Sequence, residues 1–328
     1  MLRISAFVLT ILAPVPAAAQ CVGPGFIDML SSEDQAALQA TADAIPFGEG
    51  LFWQASKDGT DITILGTMHL PDPRHDALMA RALPLLESAD IMLVEATLED
   101  QTDMQVFMAR NPDIMSITSG PALPDLLDDA TWAAVQDAAS ARGIPGFMAA
   151  KMEPWFLTLT LSIPPCAMAS MASGGLGLDA MLMTAASANN IPTAPLEPWE
   201  DMFALMASGT QEEQIEVLEM SLLAPDLQDA MITELTDRYF SGETAVGWYM
   251  ARYGVQFMPN ITMEEFEASM AEFEDALLWG RNRAWIPVIE DTAATHDDIF
   301  IGFGAAHLIG EDGVLNLLAQ NGWTITPL

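Results

Sequence analysis

The chain has 328 residues, 51% of them hydrophobic and 17% charged, enough to build a core unaided and unlike a disordered segment. Its 46 Asp and Glu outnumber 11 Lys and Arg, for a formal net charge of −35. So acidic a chain has no basic clusters with which to neutralise phosphates, which excludes a nucleic-acid partner and disfavours anionic membrane surfaces.

Residues 1–19 carry a basic Arg3, an apolar run from Ile4 to Leu12 and the small-residue end Ala17-Ala18-Ala19. That pattern is a secretory signal cleaved after Ala19, so the mature chain is expected to be periplasmic or secreted. The run is too short for a permanent membrane span. Bulky Gln20 argues against a lipid anchor on Cys21. An oxidising compartment favours pairing the two cysteines, and a Cys21–Cys166 disulfide is expected.

A first helix is predicted over 31–45. Strands at 51–56 and 61–70 flank an Asp-Gly turn and form a hairpin. A helix over 73–90 leads into 91–96, a continuous apolar run of buried-strand length. Residues 100–160 read as helices, with 122–144 a helical pair ended by Gly143 and Pro145. The apolar stretch 155–172 is broken by Pro164-Pro165 and is expected to be buried core. A helix over 178–188 precedes a strand over 191–196, and 199–295 is a largely helical region rich in Met, Glu and Ala, its methionines read as core filler. The end returns to strand 298–304, helix 314–322 and strand 323–328. The fold class is therefore α/β, a central mixed sheet flanked by helices with a largely helical insertion at about 200–295, forming one domain from residue 20 to the end.

Two of the four histidines end the same local pattern, a β-branched run stopping at Gly-x-x-His: Gly66 to His69 and Gly304 to His307. Ligands of open α/β sheets bind beyond the carboxyl ends of strands, where His69, Glu95 and His307 all fall. Two imidazoles and a carboxylate suit a divalent metal with open positions, and Mn, Co, Zn or Fe fit that donor set about equally. Glu197 closes another strand. Arg281 and Arg283 are scarce cations that could hold a substrate carboxylate, stabilise an oxyanion or simply pair with acids. His75 and His296 sit in Asp-flanked loops and read as ordinary histidines. No Gly-x-Ser-x-Gly, phosphate loop, dinucleotide fingerprint or His-Glu-x-x-His occurs.

The segments LGTMHL (65–70), Glu95, GLDAML (177–182), PLEPWEDM (195–202), RNRAW (281–285) and GFGAAHLIGEDGVLNLLAQNGW (302–323) appear in an order that resembles the TraB/GumN family, which includes the TIKI metalloproteases. The resemblance implies a fold similar to the erythromycin-esterase and ChaN-like proteins, with His69, Glu95, Arg281 and His307 gathered in one cleft. The leading reading is an exported metal-dependent hydrolase acting on a peptide or protein, with His69, Glu95 and His307 as metal ligands, Arg281 stabilising an oxyanion or holding substrate, and the strand-end Glu197 as a further substrate contact. Two alternatives stand beside it: a metal-free esterase using a histidine base, and a non-catalytic protein that binds a peptide, haem or metal.

Overall fold

The structure, a computed structural model, describes residues 23–258 and 261–328. Six strands form one mixed sheet: β1 (Phe52–Lys57), β2 (Thr60–Thr67), β3 (Ile91–Val94), β4 (Thr193–Pro195), β5 (Asp298–Gly304) and β6 (Thr324–Pro327). Their order across the sheet is β4-β3-β5-β2-β1-β6. The hairpin β1–β2 is antiparallel, as its Asp58-Gly59 turn requires, with both turn residues at positive φ. Strands β4, β3, β5 and β2 run parallel, so their carboxyl ends open on one edge of the molecule.

Strands β2, β3 and β5 are apolar because both faces are covered, whereas the three-residue edge strand β4 is largely exposed. Ile62, Ile64, Leu65, Met92, Leu93, Phe300 and Ile301 are fully buried, in a core shared with Leu178, Leu182, Leu86 and Trp285 from the flanking helices. A second, smaller core joins Ile117, Leu123, Val135, Leu157 and Leu161 to Leu218. This core packs the helices predicted over 100–160 against the predicted helical region at about 200–295.

Three expectations need correction. The stretch 155–172 is not simply buried core: it forms helices Pro154–Ser162 and Pro165–Ala172, bent by 87° at the Pro pair, and Leu159 and Met171 face solvent. His75 is not a loop histidine but a fully buried one in the first turn of helix His75–Glu87, where Nε2–H donates to the Leu70 carbonyl at 2.9 Å. Burial of that ring holds its pKa below the ordinary value. The strand predicted to run through His69 ends at Thr67, and the one predicted through Ala96 ends at Val94. His69 and Glu95 therefore sit on the loops that follow.

The signal at 1–19 and Cys21 lie outside the described residues. Cys166 is not a free thiol. Among the described residues no single helix is long and apolar enough to cross a membrane.

Candidate active site

The four parallel strand ends deliver four side chains to one place. Two residues beyond β2 comes His69, one beyond β3 comes Glu95, two beyond β4 comes Glu197, and three beyond β5 comes His307. Arg281 enters from the first turn of helix Gly280–Ala293, which follows a π-helical turn at Asp275–Trp279. His69, Glu95, Glu197 and Arg281 line one cavity of about 170 Å³ together with Asp179, Gln101, Met104, Met183, Trp199, Met202 and Phe303.

Arg281 is the hub. Its Nη2 donates to Glu95 Oε2 at 2.7 Å and to Glu197 Oε1, and its Nε donates to Glu197 at 2.9 Å. Its Nη1 donates to the Leu277 carbonyl at 2.9 Å and meets His307 Nε2 at 3.2 Å. A guanidinium has five N–H groups, and these contacts use all five. Glu197 also accepts from Trp285 Nε1 at 3.2 Å, and the Trp285 ring lies 4.8 Å from the guanidinium carbon and 4.4 Å from the His307 ring.

His307 is 3% exposed. Asn282 gives its Nδ2–H to the Asp312 carbonyl, so its Oδ1 is left to accept the Nδ1–H of His307. That fixes the ring with its proton on Nδ1 and its lone pair on Nε2, toward Arg281. Burial pushes its pKa down to about 3, against the pull of Glu95, and the imidazole is neutral. Glu95 is the opposite case. Its own burial opposes ionisation, but neighbouring His307, His69 and Arg281, with the Gly304 N–H at 2.8 Å, hold the carboxyl down at about 2. With His307 neutral, the charges of the His69 imidazolium and Arg281 carry that stabilisation.

His69 differs from its counterpart. The side chain is 65% exposed at the cavity mouth, and Nδ1 lies 2.9 Å from Asp179 Oδ1. Asp179 sits in the first turn of helix Leu178–Ala188, whose start is docked on the histidine loop by Leu178 N–H to the Met68 carbonyl at 2.9 Å. The Asp179 carboxylate raises His69 to about 9, outweighing its desolvation, so the ring is an imidazolium at neutral pH.

The two Gly-x-x-His motifs place their histidines differently about this site: His69 lines the cavity, whereas His307 lies behind Arg281. In the β2–β5 register Gly66 pairs with Phe303 and Thr67 with Gly304, so the motifs are offset by one residue and their glycines point to opposite faces. Chain β5 then turns through a 3₁₀ turn at Ala305–His307, which buries His307 behind Arg281 while His69 stays at the mouth. The glycines differ too. A Cβ on Gly66 would lie 2.6 Å from Leu308 and 3.0 Å from Ala305, whereas one on Gly304 would make ordinary contacts. Arg283 and His296 lie off the site, Arg283 pairing with Asp275 and Asp312 and His296 meeting Thr295.

A model of the TraB/PrgY/gumN family matches residues 51–327. The chain belongs to this family. No curated protein and no solved structure gives a match. The matched span of this TraB/PrgY/gumN protein begins just before β1 and ends with β6, so it takes in the whole sheet and every site residue above.

The expected metal donors do not fit a divalent ion in this arrangement. The His307 Nε2 lone pair faces Arg281, and each Glu95 oxygen already accepts a hydrogen bond, one from Arg281 and one from the Gly304 N–H. Among the described residues no three His, Cys, Asp or Glu side chains gather as a ligand set. A Mn, Co, Zn or Fe ion at these donors would sit against a guanidinium, and moving Arg281 aside would strand Glu197 in a buried site. The cavity is also too small for haem.

Asp179, Asn282, Trp285 and Gln101 were given no role from the sequence. The first three lie within the segments GLDAML and RNRAW that carry the family resemblance, and that was the available signal. Gln101 carried none.

Two consequences can be measured. A Cβ on Gly177 would collide with the His69 backbone carbonyl, so Gly177→Ala is expected to shift that loop and lower stability by about 1–3 kcal/mol, seen as a lower urea midpoint. The protein should also be acid-labile. Glu95 has a folded pKa below its ordinary 4.5, so its contribution is present above 4.5 and lost as pH falls toward 2. His307 resists protonation in the fold, so stability is intact above 6.5 and falls as pH drops toward 3. Denaturation midpoints should fall from pH 6.5 toward pH 3 through His307, and further from pH 4.5 toward pH 2 through Glu95; a flat profile from pH 6.5 to pH 4 would contradict the His307 assignment, and one from pH 4.5 to pH 2 the Glu95 assignment.

Proposed function

We propose that the chain is a hydrolase of uncharged carbonyl substrates, esters or internal bonds of a peptide or protein, with His69 moving the proton and no metal required. One observation carries this reading: His69, held at Nδ1 by Asp179, at the mouth of a cavity whose floor holds an ionised Glu95. Nδ1 is engaged, which leaves Nε2 as the ring atom for a water. Water adds to the carbonyl carbon as neutral His69 Nε2 takes its proton. The imidazolium returns that proton to the departing oxygen or nitrogen as the C–O or C–N bond breaks. Gln101 and Trp199 line the cavity with side-chain N–H groups that make no hydrogen bond among the described residues, and they are the neutral donors available to a developing oxyanion.

Substrate charge follows from Arg281. With its five donors committed, it has none to offer a substrate carboxylate, while Glu95, Glu197 and Asp179 all line the cavity. Val94, Met104, Met183, Met202 and Phe303 suit a small apolar acyl group or side chain instead. A bond next to a free terminal carboxylate is therefore a poor substrate. The same proposal includes export through residues 1–19 and the Cys21–Cys166 disulfide, which a mass shift on reduction and alkylation would reveal.

The test uses mature protein dialysed against a chelator, with a panel of p-nitrophenyl acyl esters and internally quenched peptides. Hydrolysis that survives chelation and falls at least 100-fold in a folded His69→Ala variant is expected. Activity that appears only on adding Mn, Co, Zn or Fe would transfer the reading to metal-dependent hydrolysis. Saturable peptide binding without turnover would transfer it to a binding protein.

A further inference from the structure

A second cavity, of about 600 Å³, lies in the helical layer and shares no lining residue with the first. Met115, Phe147, Met148, Met152 and Phe156 are among its lining residues, Lys151 is its one charged residue, and no Asp or Glu lines it. Phe147 and Met148 are 76% and 52% exposed. Residues 138–178 around it contain a single acid, Glu153, in a chain that carries 46. The stretch has two cations. Arg142 is consumed by the carbonyls of Ala138, Leu161 and Ile163 and by Gln228, but the Lys151 ammonium has no partner among the described residues.

An unpaired ammonium beside an acid-free apolar groove, on a protein otherwise crowded with carboxylates, complements a ligand with an apolar body and one anionic end. The volume lies within the range of small-molecule sites, roughly 300–1,000 Å³. Methionine walls adapt to a flexible chain. A second copy of the protein is a poor occupant, because it brings another net charge of −35. An extended peptide is poorly served as well: the groove's other polar side chains are Ser116 and Thr160, and the Thr160 hydroxyl already donates to the Phe156 carbonyl. A bilayer presents a flat surface, whereas this feature is a concave groove.

We propose that this groove binds one free long-chain fatty acid, its hydrocarbon chain against Phe147, Met148, Met152 and Phe156 and its carboxylate on Lys151. The proposal rests on none of the groups assigned to hydrolysis.

Calorimetric titration of the mature protein with laurate, and with dodecanol as the uncharged analogue, tests it. Laurate is expected to bind saturably at one per chain, and Lys151→Glu to weaken it at least tenfold while leaving dodecanol unchanged. Phe147→Ser, at an exposed position the fold does not need, should weaken both ligands, and His69→Ala neither. The proposal is overturned if laurate shows no saturable binding, or if Lys151→Glu binds it as tightly as the unaltered chain. It is equally overturned if phosphatidylcholine vesicles capture the protein while free laurate does not bind, or if the groove serves only a dimer that Phe147→Ser dissociates.

Discussion

Replacing Arg281 by Met is expected to lower folding stability by about 3–5 kcal/mol, because it leaves two poorly exposed carboxylates facing each other without a cation. Glu95 and Glu197 are 21% and 12% exposed at their side chains, and Arg281 is 12% exposed between them. Removing the guanidinium also leaves Trp285 and the His307 lone pair without their neighbour. Urea denaturation at pH 7 should show the loss as a lower midpoint, and the deficit should shrink at pH 4, where the stranded acids can take up protons. Arg281→Lys keeps the charge but not the planar fork, so it should recover only part of the stability. Adding Glu197→Gln to Arg281→Met should recover some of the rest, since an amide costs less than an unpaired carboxylate. A single-variant loss below about 1 kcal/mol, the range of exposed ion pairs, would mean that solvent already screens this cluster and that Arg281 is not its organiser.

That role for Arg281 was only half legible in the sequence. Scarcity of cations singled it out, and strand-end reasoning gathered His69, Glu95, Glu197 and His307 at one edge of an α/β sheet. Strands β2, β3 and β5 could be read because they are largely apolar runs, two of them ending at glycine. Register could not be read. One residue of offset between β2 and β5 is invisible in two motifs spelled alike, yet it places their glycines on opposite faces and contributes to one histidine being exposed and the other buried. The partners of the histidines were equally hidden. Asp179 and Asn282 lie 110 residues beyond His69 and 25 before His307 in the chain, and only the packing of helix Leu178–Ala188 and helix Gly280–Ala293 on the strand ends brings them to the two Nδ1 atoms.

The common logic of the two histidines is that a side-chain oxygen occupies Nδ1 in each, leaving Nε2 to act. What Nε2 meets then separates their roles. At His307 it meets Arg281 inside the protein, so this ring is a structural member of the buried network. At His69 the ring sits at the mouth of the cavity, where substrate and water arrive. The site is therefore asymmetric, with one reactive imidazole over a charged, internally satisfied floor.

Asp179→Asn separates that asymmetry from a symmetric pair of catalytic histidines. Asp179 is the main reason His69 lies near 9 rather than 6.5, so in the unaltered protein kcat/KM should rise with pH through the alkaline limb as the imidazolium loses its proton. The asparagine removes the negative charge, and the rise should move toward 6.5. It also offers an N–H to Nδ1, which favours the tautomer with the proton on Nε2, the wrong atom for a base. The plateau should accordingly fall by about 10²–10⁴-fold. A titration of the His69 ring proton by NMR reads the same shift without substrate, moving from near 9 toward 6.5 in the variant. His307, set mainly by its own burial, should stay neutral across the whole range in both proteins. If the rate profile instead follows a group that Asp179→Asn does not move, proton transfer belongs to another residue and His69 is a bystander at the mouth.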